Sequence, residues 1–196
     1  MTLANTIFAL DILVLCAAVA MAYQAHKAHR LLQTQASLAF AACFWLISAG
    51  LLAHMVADAP ATIVSLAAPF VLIGSLLLLS GYTLLLLVVE KVTSRAMWIL
   101  TFLLVVFATV LANNVWGVTN VLAVVLLSLL AHRFYNNFLR NNSNSSLIIY
   151  LAFILLVGAH VAAFLSLFNL SAQVVYLIVS IVAYFALFAV SWRATR

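Results

Sequence analysis

The chain has 196 residues, of which 69% are hydrophobic and only 6% are charged, and its mean hydropathy is +1.31. Soluble domains are usually about 45 to 50% apolar, so the composition excludes a soluble globular protein and indicates an integral membrane protein. Eight Lys and Arg residues against three acids give a net charge of +5, a surplus that in a membrane chain serves orientation rather than nucleic-acid binding.

Apolar runs separated by short polar breaks predict an all-α bundle of seven transmembrane helices, because about 20 mostly apolar residues cross a bilayer. The predicted spans cover residues 5–26, 37–57, 69–89, 96–112, 115–135, 147–168 and 172–192. Two prolines and five glycines leave no linker, so we expect a single transmembrane helical domain over residues 1–196. Pro69 is predicted in the first turn of its helix, and the Asn/Ser-rich residues 136–146 are predicted to form a flexible connector.

The basic residues predict the orientation of the bundle. They all follow spans one, three, five or seven: Lys27, Arg30, Lys91, Arg95, Arg133, Arg140, Arg193 and Arg196. The other three breaks carry none, so the positive-inside rule predicts an outside N-terminus and a cytoplasmic C-terminus. We therefore expect a multi-pass protein of the cell membrane, in contact with the lipid bilayer.

Matching residues in the two halves of the chain suggest an internal repeat. Spans one and five both end in Ala-His-Arg, at His29 and His132, and the spans that follow carry Ala-His at His54 and His160. The third span of each half carries a tyrosine, Tyr82 and Tyr184. A 3+1+3 plan of parallel repeats would place equivalent residues at equal depth around an axis along the membrane normal. Ala and His pairs also match by chance in an Ala-rich chain, so both interpretations stay open.

The paired histidines suggest sites for haem b. Neutral imidazole is a good axial ligand of haem iron, and a b-type haem needs two of them on facing helices. His54 and His160 would ligate the iron of an outer haem, and His29 with His132 the iron of a second, inner haem. The alternatives are an interfacial histidine at position 54, a hydrogen-bonded core histidine at position 160, and a basic interfacial cluster at the inner pair.

The meaning of Asp11 depends on its depth in the membrane. If the first helix begins at Leu3, Asp11 is intramembrane at about the depth of His160, where it would orient the imidazole or handle protons. If the repeat register holds, Asp11 aligns with Asn114 at the outer surface and only marks the start of a helix.

The sequence names no reaction, so it leaves open whether the protein is an enzyme. The leading hypothesis is a small b-type cytochrome-like membrane subunit that carries electrons between a membrane quinone-like carrier and an extracytoplasmic redox partner. The partners would then be other membrane or extracytoplasmic redox subunits, and no nucleic acid. Two alternatives stay open: a cofactor-free accessory subunit of a larger membrane complex, and a small-ligand transporter or sensor with Asp11 and His160 in a central pocket.

Overall fold

The computed structural model describes residues 3–59, 64–92 and 94–194, and over these residues the protein is all-helical. The helices are α1 (Leu3–Leu32), α2 (Gln35–Ala57), α3 (Val64–Val89), α4 (Arg95–Val110), α5 (Val115–Asn141), α6 (Asn144–Leu165) and α7 (Ser171–Ala194). Six are long and apolar enough to cross a membrane, whereas α4 has 16 residues. The predicted helical membrane bundle is confirmed, and the chain is a multi-pass membrane protein, as expected for the cell membrane.

Six helices form a closed ring, and α4 lies outside it. Around the ring, contacts run from α1 to α2, α3, α5, α6, α7 and back to α1. Within the described ranges α4 contacts only α3 and α5, and its large apolar side chains Leu100, Leu104 and Phe107 are exposed, as suits a lipid-facing helix. Exchanging α1–α3 with α5–α7 would preserve this order of contacts, as a 3+1+3 plan requires. The repeat itself stays a prediction.

The odd-numbered helices α1, α3, α5 and α7 begin at one end of the ring, which we call the N-terminal face. The opposite end, where these helices finish, is the C-terminal face. In the predicted orientation the N-terminal face would be outside and the C-terminal face cytoplasmic. Large aliphatic side chains fill the ring between the two faces, among them Leu79, Leu85, Leu127, Leu130 and Leu177, which are all buried.

Two glycines bring the backbones of α2 and α3 together. A Cβ atom on Gly50 would lie 2.8 Å from the carbonyl oxygen of Gly74 and 2.8 Å from the nitrogen of Leu78. A Cβ atom on Gly74 would lie 3.0 Å from Cδ2 and 3.1 Å from Nε2 of His54. Small residues permit such close approach between membrane helices. The glycines therefore make room for the imidazole of His54 against the backbone of α3.

The predicted position of Pro69 in a first helical turn is wrong. α3 begins at Val64, so Pro69 lies inside the helix, where it cannot donate a hydrogen bond to the carbonyl group four residues earlier. The three residues before the proline, Leu66, Ala67 and Ala68, have high helix propensity, and the helix includes them with the loss of one hydrogen bond at Pro69. The sequence predicts an outer connector or short surface helix over residues 61–68, of which residues 61–63 lie outside the described part of the chain and the others belong to α3.

The predicted flexible connector over residues 136–146 is also wrong. α5 continues to Asn141 and α6 begins at Asn144. Side chains on the extended last turns bond along the helix, as where Asn141 Nδ2 donates to Asn137 Oδ1 at 2.8 Å. Asn142, with φ of 44°, ends α5 in the left-handed conformation that Asn tolerates. The polar residues thus extend α5 beyond its apolar part instead of forming a loop.

Candidate functional site

A buried chain of hydrogen bonds surrounds His160, which is only 2% exposed. Its Nε2 atom lies 3.1 Å from the hydroxyl oxygen of Tyr82, and its Nδ1 atom lies 2.8 Å from Oδ1 of Asn120. The Tyr82 hydroxyl oxygen is in turn 3.3 Å from that of Tyr184. Side chains from α3, α5 and α7 therefore connect to one imidazole of α6.

The chemistry of the groups at each end fixes the direction of these hydrogen bonds. Asn120 Nδ2 donates to the carbonyl oxygen of Trp116 at 2.8 Å, so its Oδ1 atom faces His160 and accepts from Nδ1–H. In the neutral imidazole Nε2 is then an acceptor, so the hydroxyl of Tyr82 donates to it and the hydroxyl of Tyr184 donates to Tyr82. His160 is thus a neutral Nδ1–H tautomer with both ring nitrogens satisfied.

A cavity of about 370 Å³ opens at the N-terminal face, next to this chain of hydrogen bonds. Its wall consists of residues from α1, α2, α3, α5, α7 and the α6–α7 connection: Ala4, Ile7, His54, Asp58, Val71, Trp116, Ser166, Leu170 and Gln173. The wall is thus mostly apolar, with a few polar groups from different helices. Such a composition is typical of a site for a small organic ligand.

Trp116 joins the cavity to the hydrogen-bonded chain. Its ring contacts the imidazole of His54 edge to face, with 5.0 Å between the ring centroids. Its Nε1–H donates to the carbonyl oxygen of Ala163 at 3.2 Å, and its own carbonyl oxygen accepts from Asn120. Trp116 thus contacts the cavity through its ring and Asn120, the partner of His160, through its backbone carbonyl group.

Two of the three acidic residues lie near this cavity. Asp58 follows α2 and is exposed as a residue, yet the cavity walls remove solvent from its carboxyl group and raise its pKa above the ordinary 3.8. Asp11 is half-buried on α1, close enough to Asp58 for the two charges to interact. Its Oδ2 atom is buried with no hydrogen-bond partner among the described residues. All seven described Lys and Arg residues lie toward the C-terminal face, so none of them neutralises Asp11 and Asp58.

The predicted outer haem ligands, His54 and His160, both lie in the half of the bundle nearer the N-terminal face and interact electrostatically. His54 is 7% exposed, and its Nε2 atom is buried without a hydrogen-bond partner among the described residues. His160 would have to lose its bond to Tyr82 or Asn120 before either ring nitrogen could bind iron. In this arrangement the pair does not fit a bis-histidine haem site, and haem ligation stays a prediction.

No protein-family model, curated protein or solved structure matches this chain.

The predicted inner pair is held by local hydrogen bonds. His29 is half-buried, with Nδ1 3.0 Å from Oγ of Ser37, and His132 is exposed, with Nε2 3.0 Å from Nδ2 of Asn136. Within residues 3–59, 64–92 and 94–194, no group of three or more His, Cys, Asp and Glu side chains could hold a metal ion. A second haem at this pair also stays a prediction.

Asp11 lies on α1, one of the helices long and apolar enough to cross a membrane. The helix begins at Leu3, so Asp11 is eight residues further along, about 12 Å at 1.5 Å per residue. A start at Leu3 is the condition for the deeper of its two predicted positions, and the depth of Asp11 in the membrane stays a prediction. Its carboxylate is nevertheless not the partner of His160, whose ring nitrogens bond to Tyr82 and Asn120. Asp11 instead belongs with Asp58 near the cavity.

Sequence reasoning missed Asn120, the acceptor that fixes the tautomer of His160. The available signal was a carboxamide inside an apolar span, where a polar side chain must find a partner on its own or a neighbouring helix. Asn120 finds both, since it bonds to Trp116 in α5 and to His160 in α6. A polar side chain inside an apolar run was therefore a better indicator of a site residue than an ionisable side chain.

Proposed function

We propose that this membrane protein senses a small organic cation, which binds in the cavity at the N-terminal face. The observation that carries the proposal is the convergence of the Asp58 carboxyl group and the Trp116 ring in one cavity, at a face where the described residues include no Lys or Arg. A carboxylate attracts a cation, and the face of an indole ring adds a favourable cation–π contact. The apolar remainder of the wall suits a small hydrocarbon body.

The same residues support a role in sensing. A ligand that packs against the Trp116 ring would displace the first turn of α5, and with it the backbone carbonyl group of Trp116 that accepts from Asn120. Asn120 holds the Nδ1–H of His160, and His160 accepts from Tyr82. Occupancy of the cavity would thereby change the packing of α3, α5, α6 and α7 at the centre of the bundle. This coupling would be a population shift between two arrangements of one hydrogen-bonded network.

A fluorescence titration tests the proposal. In a variant with Trp45, Trp98 and Trp192 replaced by Phe, Trp116 is the only indole and reports on the cavity. Benzylamine is the probe, and benzyl alcohol, of similar size and uncharged, is the ligand control. We expect saturable quenching by benzylamine and only a linear, unsaturable response to the alcohol.

Two further variants locate the cation. Asp58→Asn removes the charge in the cavity with little change in shape, and we expect it to weaken benzylamine binding about tenfold, equivalent to about 1.4 kcal/mol. Glu90→Gln is the matched control, because Glu90 lies at the opposite face, where it pairs with Arg133. Identical titrations for the amine and the alcohol would contradict the proposal.

The cytochrome hypothesis is the second candidate, because His54 and His160 are both buried, and it requires His160 to give up one of its two hydrogen bonds. Absorption spectra of the protein, expressed with haem and extracted in mild detergent, test it in the oxidised and dithionite-reduced states. Haem b would be established by an α-band in the reduced spectrum that is lost in both His54→Ala and His160→Ala and kept in the control His26→Ala. This result would favour electron transfer between a quinone-like carrier and a redox partner. A colourless wild-type protein would remove this candidate.

A further inference from the structure

A second cavity, of about 290 Å³, lies at the C-terminal face and has a basic wall. Its polar lining consists of Lys91, Arg133, Asn136, Asn137 and Arg140. The four residues from α5 are spaced i, i+3, i+4 and i+7, so they form one stripe along that helix. Lys91 reaches the same cavity from the end of α3.

The wall presents mainly hydrogen-bond donors. Arg and Lys side chains are donors only. The Nδ2 atom of Asn136 contacts His132, and that of Asn137 donates to Ser146. Each amide nitrogen carries two hydrogens, so each asparagine keeps one N–H for a further acceptor. The Oδ1 atom of Asn137 already accepts from Asn141. The nearby acid, Glu90, lies 3.6 Å from Nε of Arg133, and one carboxylate leaves the three cations in excess.

The backbone at Lys91 ends α3 in the left-handed conformation. Lys91 has φ of 52°, and the bond from Val92 N–H to the carbonyl oxygen of Leu87, at 3.1 Å, closes the end of α3 around it. Glycine is the usual residue at this position of a helix terminus, because any side chain there strains the backbone. Gln33 and Asn142 take the same conformation at the ends of α1 and α5, so at Lys91 it marks the end of the helix, next to the cavity wall that Lys91 lines.

We propose that this cavity binds a phosphate group, carried either by the headgroup of an anionic phospholipid or by a soluble phosphate compound. Arginine forks match phosphate oxygens, and basic cavities at the ends of membrane helices are suited to anionic headgroups. Val89 and Phe134 complete the wall with apolar surface. This surface, next to the membrane-spanning parts of α3 and α5, favours the lipid as the source.

Titrations of the detergent-solubilised full chain, followed by native mass spectrometry and thermal unfolding, test the proposal. The probes are dihexanoyl phosphatidylglycerol, the zwitterionic dihexanoyl phosphatidylcholine, and inorganic phosphate. We expect phosphatidylglycerol to bind at least tenfold more tightly than phosphatidylcholine and to raise the Tm. Phosphatidylglycerol binding without a phosphate effect identifies a lipid, whereas equal stabilisation by inorganic phosphate identifies a soluble compound.

Variants assign the binding to this cavity. Arg133→Gln combined with Arg140→Gln should weaken the preferred probe at least tenfold, whereas Arg193→Gln, which removes a charge at the end of α7 outside the wall, should not. Lys91→Gly should raise the Tm without ligand, because it relieves the strained backbone, and still weaken the probe. Unchanged affinity in the folded Lys91→Gly protein, or equal effects of the double variant and Arg193→Gln, would overturn the proposal.

Discussion

Tyr82 and Tyr184 hold their hydroxyl oxygens 3.3 Å apart at the centre of the bundle, although 102 residues separate them in the chain. Both rings are buried, with 1% and 2% of their surface exposed. The hydroxyl of Tyr82 also bonds to Nε2 of His160, whereas that of Tyr184 ends the chain of hydrogen bonds. The two tyrosines therefore contribute unequally to stability.

Removal of each tyrosine hydroxyl should have a different effect on the free energy of unfolding. Tyr82→Phe leaves Nε2 of His160 buried without a donor, so we expect a loss of about 1 to 3 kcal/mol. Tyr184→Phe removes one terminal hydrogen bond, for which about 0.6 kcal/mol is typical in a membrane bundle. Reversible denaturant unfolding in mixed micelles measures both. A larger loss for Tyr184→Phe would contradict the assigned direction of the chain.

The hydrogen bonds also predict the tautomer of His160. In ¹⁵N-histidine-labelled protein, two-dimensional NMR should show His160 with its proton on Nδ1, and this signal should disappear in His160→Gln. Asn120→Leu removes the acceptor of that proton, so the ring should no longer be held in a single tautomer. An Nε2–H signal from His160 in the unmodified protein would show that the amide of Asn120 is turned the other way.

Cation binding in the N-terminal cavity should depend on pH through Asp58. Loss of solvent raises the pKa of this carboxyl group above 3.8, and only its ionised form attracts a cation. We therefore expect benzylamine affinity to fall as the pH is lowered through the raised pKa and to level off above it. In the Asp58→Asn variant this pH dependence of benzylamine affinity should be lost. Any pH dependence that comes from Asp11 or His54 would remain. Equal pH profiles for the two proteins would exclude Asp58 as the group.

The raised pKa also links protonation of Asp58 to stability. The folded state keeps this proton to a higher pH than the unfolded state does, so the free energy of unfolding should decrease as the pH rises from about 3.8 through the folded-state pKa. Above that pKa the contribution should be constant. Thermal unfolding of Asp58→Asn across the same range should lack this decrease, and a parallel decrease in the variant would assign it to another group.

Two glycine substitutions should change stability in opposite directions. A Cβ on Gly50 would meet backbone atoms of α3 at 2.8 Å, so Gly50→Ala should destabilise the bundle by about 1 to 3 kcal/mol. Gly158 has nothing within 4 Å of the position of a Cβ, so Gly158→Ala should stabilise α6 by about 0.5 to 1 kcal/mol. Unfolding of both variants checks this, and a loss at position 158 would contradict the open surface there.

Hydrophobic patterning was sufficient to predict the helices, because run length and polar breaks alone determine where a chain can cross a bilayer. It failed at residues 136–146, where Asn and Ser were interpreted as a loop. Their side chains bond along the helix instead, as from Asn141 to Asn137, and only Asn142 takes the conformation that ends it. Composition could not distinguish these two uses of asparagine.

The site was only partly predictable for a different reason. His160 and Asp11 were recognised as polar groups in apolar runs, and the comparison of the two halves singled out Tyr82 and Tyr184. What each group bonds to depends on how the helices are rotated about their axes, which hydropathy does not encode. The pairing of His160 with Tyr82 and Asn120, rather than with His54 or Asp11, is therefore a property of the folded bundle that the sequence pattern does not contain.

The position of α4 outside the ring has a consequence for how such a chain can be assembled. α3 contacts α5 directly, so a break within α4 would leave every contact around the ring in place. Two polypeptides, one ending after α3 and one beginning at α5, carry all the side chains of both cavities. What the single chain gains from α4 is direction, because α3 and α5 both begin at the N-terminal face and the connection between them has to run back along the bundle.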